Sequence, residues 1–276
     1  MKLCLVIPVF GNHADTLACL RMLAGQSSAN FEVVVADDGS PEPPPSWLPE
    51  FPFLTWQRNP HRGFAGNCNN GAREALRRGA THLLFLNNDT AFGTGFIAAW
   101  ERRIAALPEA LLSPVIYWFD RPDEIWYSGG KRGIHVPFVR LARPCPTRTE
   151  VDLLCGCALL LPASAWLALR GFDESFRLYY EDFDLCLRAR RLGLHLYVDP
   201  DPDLAVRHRV SRSSPVAWAK HFRMITSRYL FIRRHYQGLS LYCCLFLTAP
   251  QLAVTIAANL PDWRGLRSAV TQGFTG

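Results

Sequence analysis

A chain of 276 residues with 49% hydrophobic and 20% charged residues can bury a large core, which excludes a disordered protein. A net charge of +6 is too small to be the footprint of a nucleic-acid binder and fits small anionic ligands or anionic lipid. Nine cysteines occur without a CxxC pair, so neither a zinc site nor a disulfide framework is expected, and they read as mostly buried thiols in a reducing compartment.

The opening MKLCLVIPVF is apolar, but Pro8, Asn12 and Asp15 interrupt it before a secretory signal forms, so a cytoplasmic start is expected. Residues 3–9 read as a strand, and Leu17, Leu20 and Leu23 have the spacing of an amphipathic helix. A second strand over 31–36 runs into DDGS, and the Pro-rich PEPPPSW that follows reads as a rigid surface loop. Residues 54–57 form a short strand; 66–78 form a helix with Cys68, Ala72 and Ala75 on one face and Gly79 as its stop; 81–86 form the next strand. This repeated alternation predicts an α/β fold whose Rossmann-like, mostly parallel central sheet is flanked by helices. Ligands then bind beyond the carboxyl ends of the strands, where PVFGN, DDGS, RNPHRGFAGN and NNDT all lie.

Residues 113–152 are irregular, rich in aromatics, Gly and Pro. Order returns with DLLCGCALLLP as a strand, Ser164 as a helix cap, and a helix in LYYEDFDLCLRARRLG whose acidic first turn meets the positive end of the helix dipole. The tail carries Arg223, Arg228, Arg233 and Arg234 among Phe222, Tyr229, Phe231 and Tyr236, and then an uncharged run over 239–260 of bilayer-spanning length, interrupted by Pro250 and Gln251.

Several clusters carry chemistry. Asn87, Asn88 and Asp89 end a buried strand, where they form either an ordinary turn or a site that holds a divalent cation against a diphosphate. Asp37 and Asp38 end another strand, where a carboxylate accepts hydrogen bonds from a nucleobase or ribose, or else caps a turn. The glycines of GFAGNCNNG either admit a phosphate to a helix N-terminus or serve close helix packing. Glu181, Asp182 and Asp184 crowd one helix start, and like charges in a cleft raise at least one pKa, as a general base requires. His208 ends a late strand and is a suitable further ligand for a metal held by Asp89. No GxGxxG follows the first strand, which argues against a dinucleotide-dependent dehydrogenase, and no Lys/Arg-rich glycine loop near the N-terminus supports a nucleotidyltransferase.

In this order, IPVFGN, VVVADDGS, NPHRGFAGNCNNG, LLFLNNDT, GCALLLP, GFDESFRLYYEDFDLCLRARRLG and AVRHRVSRSS resemble a family 2 glycosyltransferase of the subgroup that includes bacterial rhamnosyltransferases. The resemblance implies a GT-A fold, a nucleotide-diphosphate-sugar donor, a divalent cation (Mg2+ or Mn2+) and inversion at the anomeric carbon. It further implies a nucleotide-sugar-binding half over 1–112, an acceptor-binding and catalytic half over 113–214, and a helical membrane-associating tail over 215–276. Position by position, it assigns Pro8, Phe10, Asp37 or Asp38, Asn59, Gly63, Ala65 and Asn67 to the nucleotide sugar, with Asn87 and Asn88 as further candidate contacts. It assigns Asp89 and His208 to the metal, Asp182 to the catalytic base and Glu181 to a supporting role beside it. Asn87 and Asn88 stand where other members have Asp, which leaves one carboxylate on this loop and implies a weakly held metal that arrives with the donor. The expected reaction transfers a sugar, with rhamnose from dTDP-rhamnose as the leading guess, to a hydroxyl of a cell-surface polysaccharide or lipid-linked glycan precursor. The alternatives are a UDP-sugar donor or an inactive nucleotide-sugar-binding scaffold. The tail is expected to hold the enzyme at the inner face of the cytoplasmic membrane, or else to pack on the domain or a second copy as a homo-oligomer.

Overall fold

The structure is a computed structural model and describes residues 1–134, 139–140, 146–176, 178–209 and 217–259. Strand β1 (Leu3–Val9) is buried along its whole length, because both faces of the sheet are covered. Leu3, Leu5 and Ile7 face one core while Cys4 and Val6 face the other, as the two-residue repeat of a strand dictates. Helix α1 (His13–Ala24) returns to β2 (Phe31–Asp37), which lies parallel to β1, and β3 (Leu54–Arg58) extends the sheet on the same edge.

Helix α2 (Gly63–Arg77) begins three residues before the sequence-predicted start at Gly66. The reason is a cap supplied from far along the chain: the Asp38 carboxylate accepts the peptide N–H groups of Arg62 at 2.7 Å and Gly63 at 3.0 Å. At Gly71 and Gly66 the space is too small for a side chain. A Cβ on Gly71 would lie 2.6 Å from Val6 Cγ1, and one on Gly66 would lie 2.8 Å from Arg62 Cβ.

Strand β4 (His82–Leu86) pairs in parallel with β1, and beyond it come β5 (Thr90–Ala91), α3 (Phe96–Ala106) and β6 (Leu111–Pro114). The region that looked irregular in sequence holds short strands, β7 (Ile116–Trp118), β8 (Ile125–Tyr127), a small ribbon of β9 (Gly130–Lys131) with β10 (Val139–Arg140), and β11 (Thr149–Glu150). Then follow β12 (Ala158–Pro162), α4 (Ala163–Leu169), α5 (Glu181–Arg191), β13 (Leu196–Asp199) and β14 (Val206–His208). Ser164 lies inside the first turn of α4 and Pro162 takes the capping position, so the expected serine cap is not formed.

The main sheet has the order β11-β13-β6-β12-β4-β1-β2-β3. Six of its strands share one direction, whereas β12 and β11 run against their neighbours. The expected α/β architecture is therefore present. Reversal of β12 places its first residue, Ala158, opposite Leu86, so the turn leading into β12 arrives at the ligand end of β4. A second sheet, β5-β14-β7-β8, pairs His208 with Thr90 and so carries His208 to the same end. The sequence division at 112/113 runs through β6, and the two halves share one sheet.

The tail packs on this body through α6 (Ala217–His235) and α7 (Gly238–Asn259). Phe231, Ile232, Tyr236 and Cys244 are buried in the same core as Leu185 and Leu187 of α5. Buried Asp184 pairs with Arg188 at 2.7 Å and with His235 Nε2 at 2.8 Å. Arg191 meets His235 Nδ1 at 2.9 Å, and because a guanidinium only donates, Nδ1 accepts and the imidazole proton sits on Nε2 facing Asp184. Among the described residues no helix is long and apolar enough to cross a membrane, and Pro250 lies within α7.

Burial of Asp184 by itself raises its pKa, but the His235 hydrogen bond and the Arg188 guanidinium outweigh it and hold the carboxyl below its ordinary value. That stability is present above the unfolded aspartate pKa of about 3.9 and is lost as pH falls through the lower folded value. Thermal or urea unfolding of Asp184→Asn at pH 7 is expected to show a loss of about 3 kcal/mol, the usual cost of breaking a buried pair, with the difference from wild type shrinking toward pH 3.

Candidate active site

The functional side chains come from four strand ends and two helix starts. At the end of β1, Phe10 is 46% exposed and its ring lies 4.8 Å from that of His61, an open aromatic pair beside the DDGS turn. Gly11 and Asn12 follow with φ of 64° and 51°, and the Gly11 N–H donates to Ser40 Oγ at 2.7 Å. Ser40 in turn donates through its N–H to Asp37 Oδ1 at 2.8 Å, so Asp37, fully buried, fastens the two loops together. Its Oδ2 has no hydrogen-bond partner, with Arg58 Nε 4.0 Å away. Asp38 accepts from Arg62 and Gly63 and meets His61 Nδ1 at 2.8 Å. Burial pushes its pKa up, and the Arg62 N–H, the His61 charge and the Gly63 N–H pull against that rise.

Several residues assigned to the nucleotide sugar have internal occupations. Pro8 is buried in β1 opposite Ala36, and Ala65 is in the core. Asn67, 1% exposed, donates to the Ala36 carbonyl and accepts from Asn59 Nδ2 at 3.1 Å. These four hold α2 against β2, while Phe10, Gly63 and the Asp37–Asp38 turn lie at the rim they support.

The NNDT turn is the centre of the site. Asp89 Oδ1 lies 3.1 Å from His208 Nε2, and Asn87 Nδ2 lies 3.4 Å from the same nitrogen. The imidazole is oriented by Trp126, which packs edge-on at 4.7 Å. Asn88 donates to Thr16 Oγ1 at 2.9 Å, so it ties the turn to α1. Two features fit a divalent cation. Ligands about 2.1 Å from an octahedral ion and at right angles stand about 3 Å apart, the spacing of the Asp89 oxygen and His208 nitrogen. Asn87 Oδ1 is also buried without a hydrogen-bond partner, and an amide flip would turn it toward His208 Nε2 and the cation position. Among the described residues no group of three His, Cys, Asp or Glu side chains could hold a metal ion, so Asp89 and His208 are a candidate pair and not a complete ligand set.

The carboxylates of α5 reach the same place through the turn before β12. Asn87 N–H donates to the Cys157 carbonyl at 2.9 Å, and the neighbouring Gly156 N–H donates to Asp182 Oδ2 at 2.8 Å. The Cβ position of Gly156 is 3.4 Å from Asp182 Cβ, so the two residues are in direct contact. Asp182 is partly exposed, whereas Glu181 is 5% exposed. Burial, then the adjacent Asp182 charge, push the Glu181 pKa well above the carboxylate range. Ionisation of Glu181 beside Asp182 is thereby disfavoured. Asp184, grouped with them in the sequence, belongs to the α5–α6 ion pair and not to the site.

Sequence reasoning passed over Gly156 and Cys157 as chemistry, although GCALLLP was noted as a motif, and it passed over Thr16 and Arg209. It also gave no sign that Tyr179 and Tyr180 stand in the left-handed region, with φ of 71° and 69°. That conformation costs roughly 1–2 kcal/mol for each such residue. Packing of Tyr180 against Phe183 and Phe231, at 5.7 and 5.3 Å, offsets it and aims the start of α5 into the site.

The carboxyl end of this doubly covered α/β sheet carries a carboxylate–imidazole pair and a separate carboxylate, and the fold is the GT-A type of glycosyltransferases. Residues 4–165 match Glycosyl transferase family 2, and the chain belongs to that family. It is 27% identical over 211 residues to an uncharacterised protein of Mycobacterium bovis, covering 71% of this chain and 70% of that one. It is 29% identical over 175 residues to the N-acetylglucosaminyl-diphospho-decaprenol L-rhamnosyltransferase of Mycobacterium tuberculosis, 56% of each chain. Among solved structures it is similar to GalNAc-T7 with UDP, GalNAc and Mn2+ (TM-score 0.66, 14% identity, 84% of this chain and 48% of that one). It is also similar to a mannosyltransferase from Pyrobaculum calidifontis with GDP-Man and Mn2+ (TM-score 0.59, 14% identity, 98% and 79%). The chain therefore spans about half the length of the first of these structures.

A glutamate whose folded pKa is raised favours folding fully below its unfolded pKa of about 4.3, and the contribution is lost as pH rises through the folded value. Glu181→Gln removes that term. Melting temperatures recorded across pH 5–9 are expected to fall with pH more steeply for wild type than for Glu181→Gln.

Proposed function

We propose that the protein is an inverting, metal-dependent glycosyltransferase that moves a sugar from a nucleotide-diphosphate donor to an acceptor hydroxyl. The observation that carries this reading is the pair of hydrogen bonds at Gly156 and Cys157, which joins the Asp182 turn to the Asn87–Asp89 turn. Asp89 and His208 would hold the cation, which would supply positive charge against the departing diphosphate. Phe10 and the Asp37–Asp38 turn receive the nucleoside, with the DDGS loop kept rigid by Ser40. Asp182 accepts the acceptor proton as its oxygen bonds to the anomeric carbon and the bond to the diphosphate breaks; one displacement from the opposite face inverts that carbon. Glu181, whose burial disfavours its charge, lies beside the base and helps to position the acceptor. Rhamnose from dTDP-rhamnose is the proposed donor, supported by the resemblance to the mycobacterial rhamnosyltransferase and by 36% identity over 90 residues (31% of this chain, 33% of that one) to Rhamnosyltransferase WbbL of Escherichia coli.

The acceptor we propose is a lipid-linked glycan, met at the inner face of the cytoplasmic membrane. Along α7, Leu239, Tyr242 and Phe246 are 73%, 69% and 77% exposed and share one side at i, i+3 and i+7. No Asp or Glu occurs between Asp203 and Asp262, while Arg223, Arg228, Arg233 and Arg234 precede this stripe. An apolar stripe beside an arginine-rich segment suits the interface of an anionic bilayer.

Asp182→Asn and Asp89→Ala are each expected to lower sugar transfer at least a hundredfold without unfolding the protein, and chelation is expected to abolish transfer; normal turnover in both variants overturns the mechanism. The full chain is expected to co-sediment with vesicles containing phosphatidylglycerol but not with neutral phosphatidylcholine vesicles. Replacing Tyr242 and Phe246 by Glu should release it, and equal binding by that variant removes α7 from the membrane contact.

A further inference from the structure

The site has fewer fixed charges than a departing diphosphate demands. The NNDT turn has one carboxylate, Asn88 is spent on Thr16, and Asp89 with His208 is a candidate pair of metal ligands. A residue given no role in the sequence reading, although it stands within AVRHRVSRSS, supplies what is missing. Arg209 follows His208 and gives its peptide N–H to the Asp89 carbonyl at 3.0 Å, so its backbone is fixed to the turn itself. Its guanidinium lies 3.8 Å over the ring of Phe119, and Nη1 donates to Asp15 Oδ1 at 3.1 Å. Asp15 is 6% exposed in the first turn of α1, where the side-chain amide of Asn12 also grips it. A cation gripped on one face by a ring and at one nitrogen by a buried carboxylate has lost most of its rotamer freedom before any ligand arrives. The side chain nevertheless remains 31% exposed, with Asp15 taking the one side-chain hydrogen bond it makes among the described residues.

We propose that Arg209 binds the diphosphate of the nucleotide sugar and stabilises the negative charge that accumulates on it as the glycosidic bond breaks, sharing that task with the cation held by Asp89 and His208. The planar fork of an arginine matches two phosphate oxygens, and a donor fixed in advance at the leaving group spends no reorganisation at the moment of reaction. Asp15 and Phe119 are positioning residues in this arrangement: they set where the fork points and do not meet the donor. The proposal rests on the glycosyltransferase reading of the same site.

The test is calorimetric titration of the full chain with dTDP and UDP in Mn2+ and in chelator, with thymidine and uridine followed by ligand-observed NMR. Arg209→Gln is expected to weaken diphosphate binding at least tenfold in both conditions, to leave nucleoside binding unchanged, and to lower kcat more than it raises KM. Arg209→Lys, which keeps the charge without the fork, is expected to fall between the two. Diphosphate affinity of Arg209→Gln within twofold of wild type overturns the proposal, as does an equal loss of nucleoside and diphosphate, the mark of a merely structural Asp15–Arg209 link. If Arg209→Gln does not fold, unchanged diphosphate affinity in Arg209→Lys overturns it instead. Wild-type protein that binds neither diphosphate overturns the glycosyltransferase reading together with this one, whereas wild-type binding with an indifferent Arg209 overturns this one alone.

Discussion

Two peptide groups, Gly156 and Cys157, hold the site together. One donates its N–H to Asp182 and the next accepts from Asn87, so Asp182 and the Asn87–Asp89 turn are fixed relative to each other by consecutive residues of one backbone. This requires β12 to run against β4 and β6, since only a reversed strand begins where its neighbours end. An all-parallel sheet would put the start of β12 at the opposite edge, where no ligand binds. The completely buried Leu159–Leu161 segment, packed from both sides, fixes the register that this geometry needs. A slip of one residue would both reverse its side chains and separate the two turns.

The second constraint comes from α6. Its His235 closes on Asp184 of α5, its Phe231 packs on Tyr180, and its Ser227 donates to the Leu178 carbonyl at 2.8 Å. The two left-handed tyrosines before Glu181 are held from outside by this helix, and the strain they store is repaid by its burial. The tail is thus part of what aims α5.

Much of this was legible in the sequence because it is periodic. Continuous apolar runs such as LCLVIPV and LLFL announced doubly covered strands, and the polar residues after them announced the ligand edge. What escaped was long-range. The start of α2 depends on Asp38, some two dozen residues earlier, and no local pattern reveals it. Asn67 and Ala65, assigned to the nucleotide sugar by the resemblance, are buried where α2 packs on the sheet, which no local pattern announces. Asp184 read as a third active-site carboxylate because its partner, His235, is on another helix. The short strands of the second sheet fell in a region without periodicity, although they are what carry His208 to Asp89.

Asp89 and His208 as one cation site, on the far side of the Gly156–Cys157 turn from Asp182, is the claim on which the rest depends. An anomalous-scattering map of crystals grown with Mn2+ and a nucleoside diphosphate tests it most directly. A single peak about 2.2 Å from both the Asp89 carboxylate and the His208 imidazole, bridged to the diphosphate, is the predicted result. A nucleotide bound with its manganese elsewhere, or with Asp89 and His208 still paired to each other and touching no metal, would contradict it.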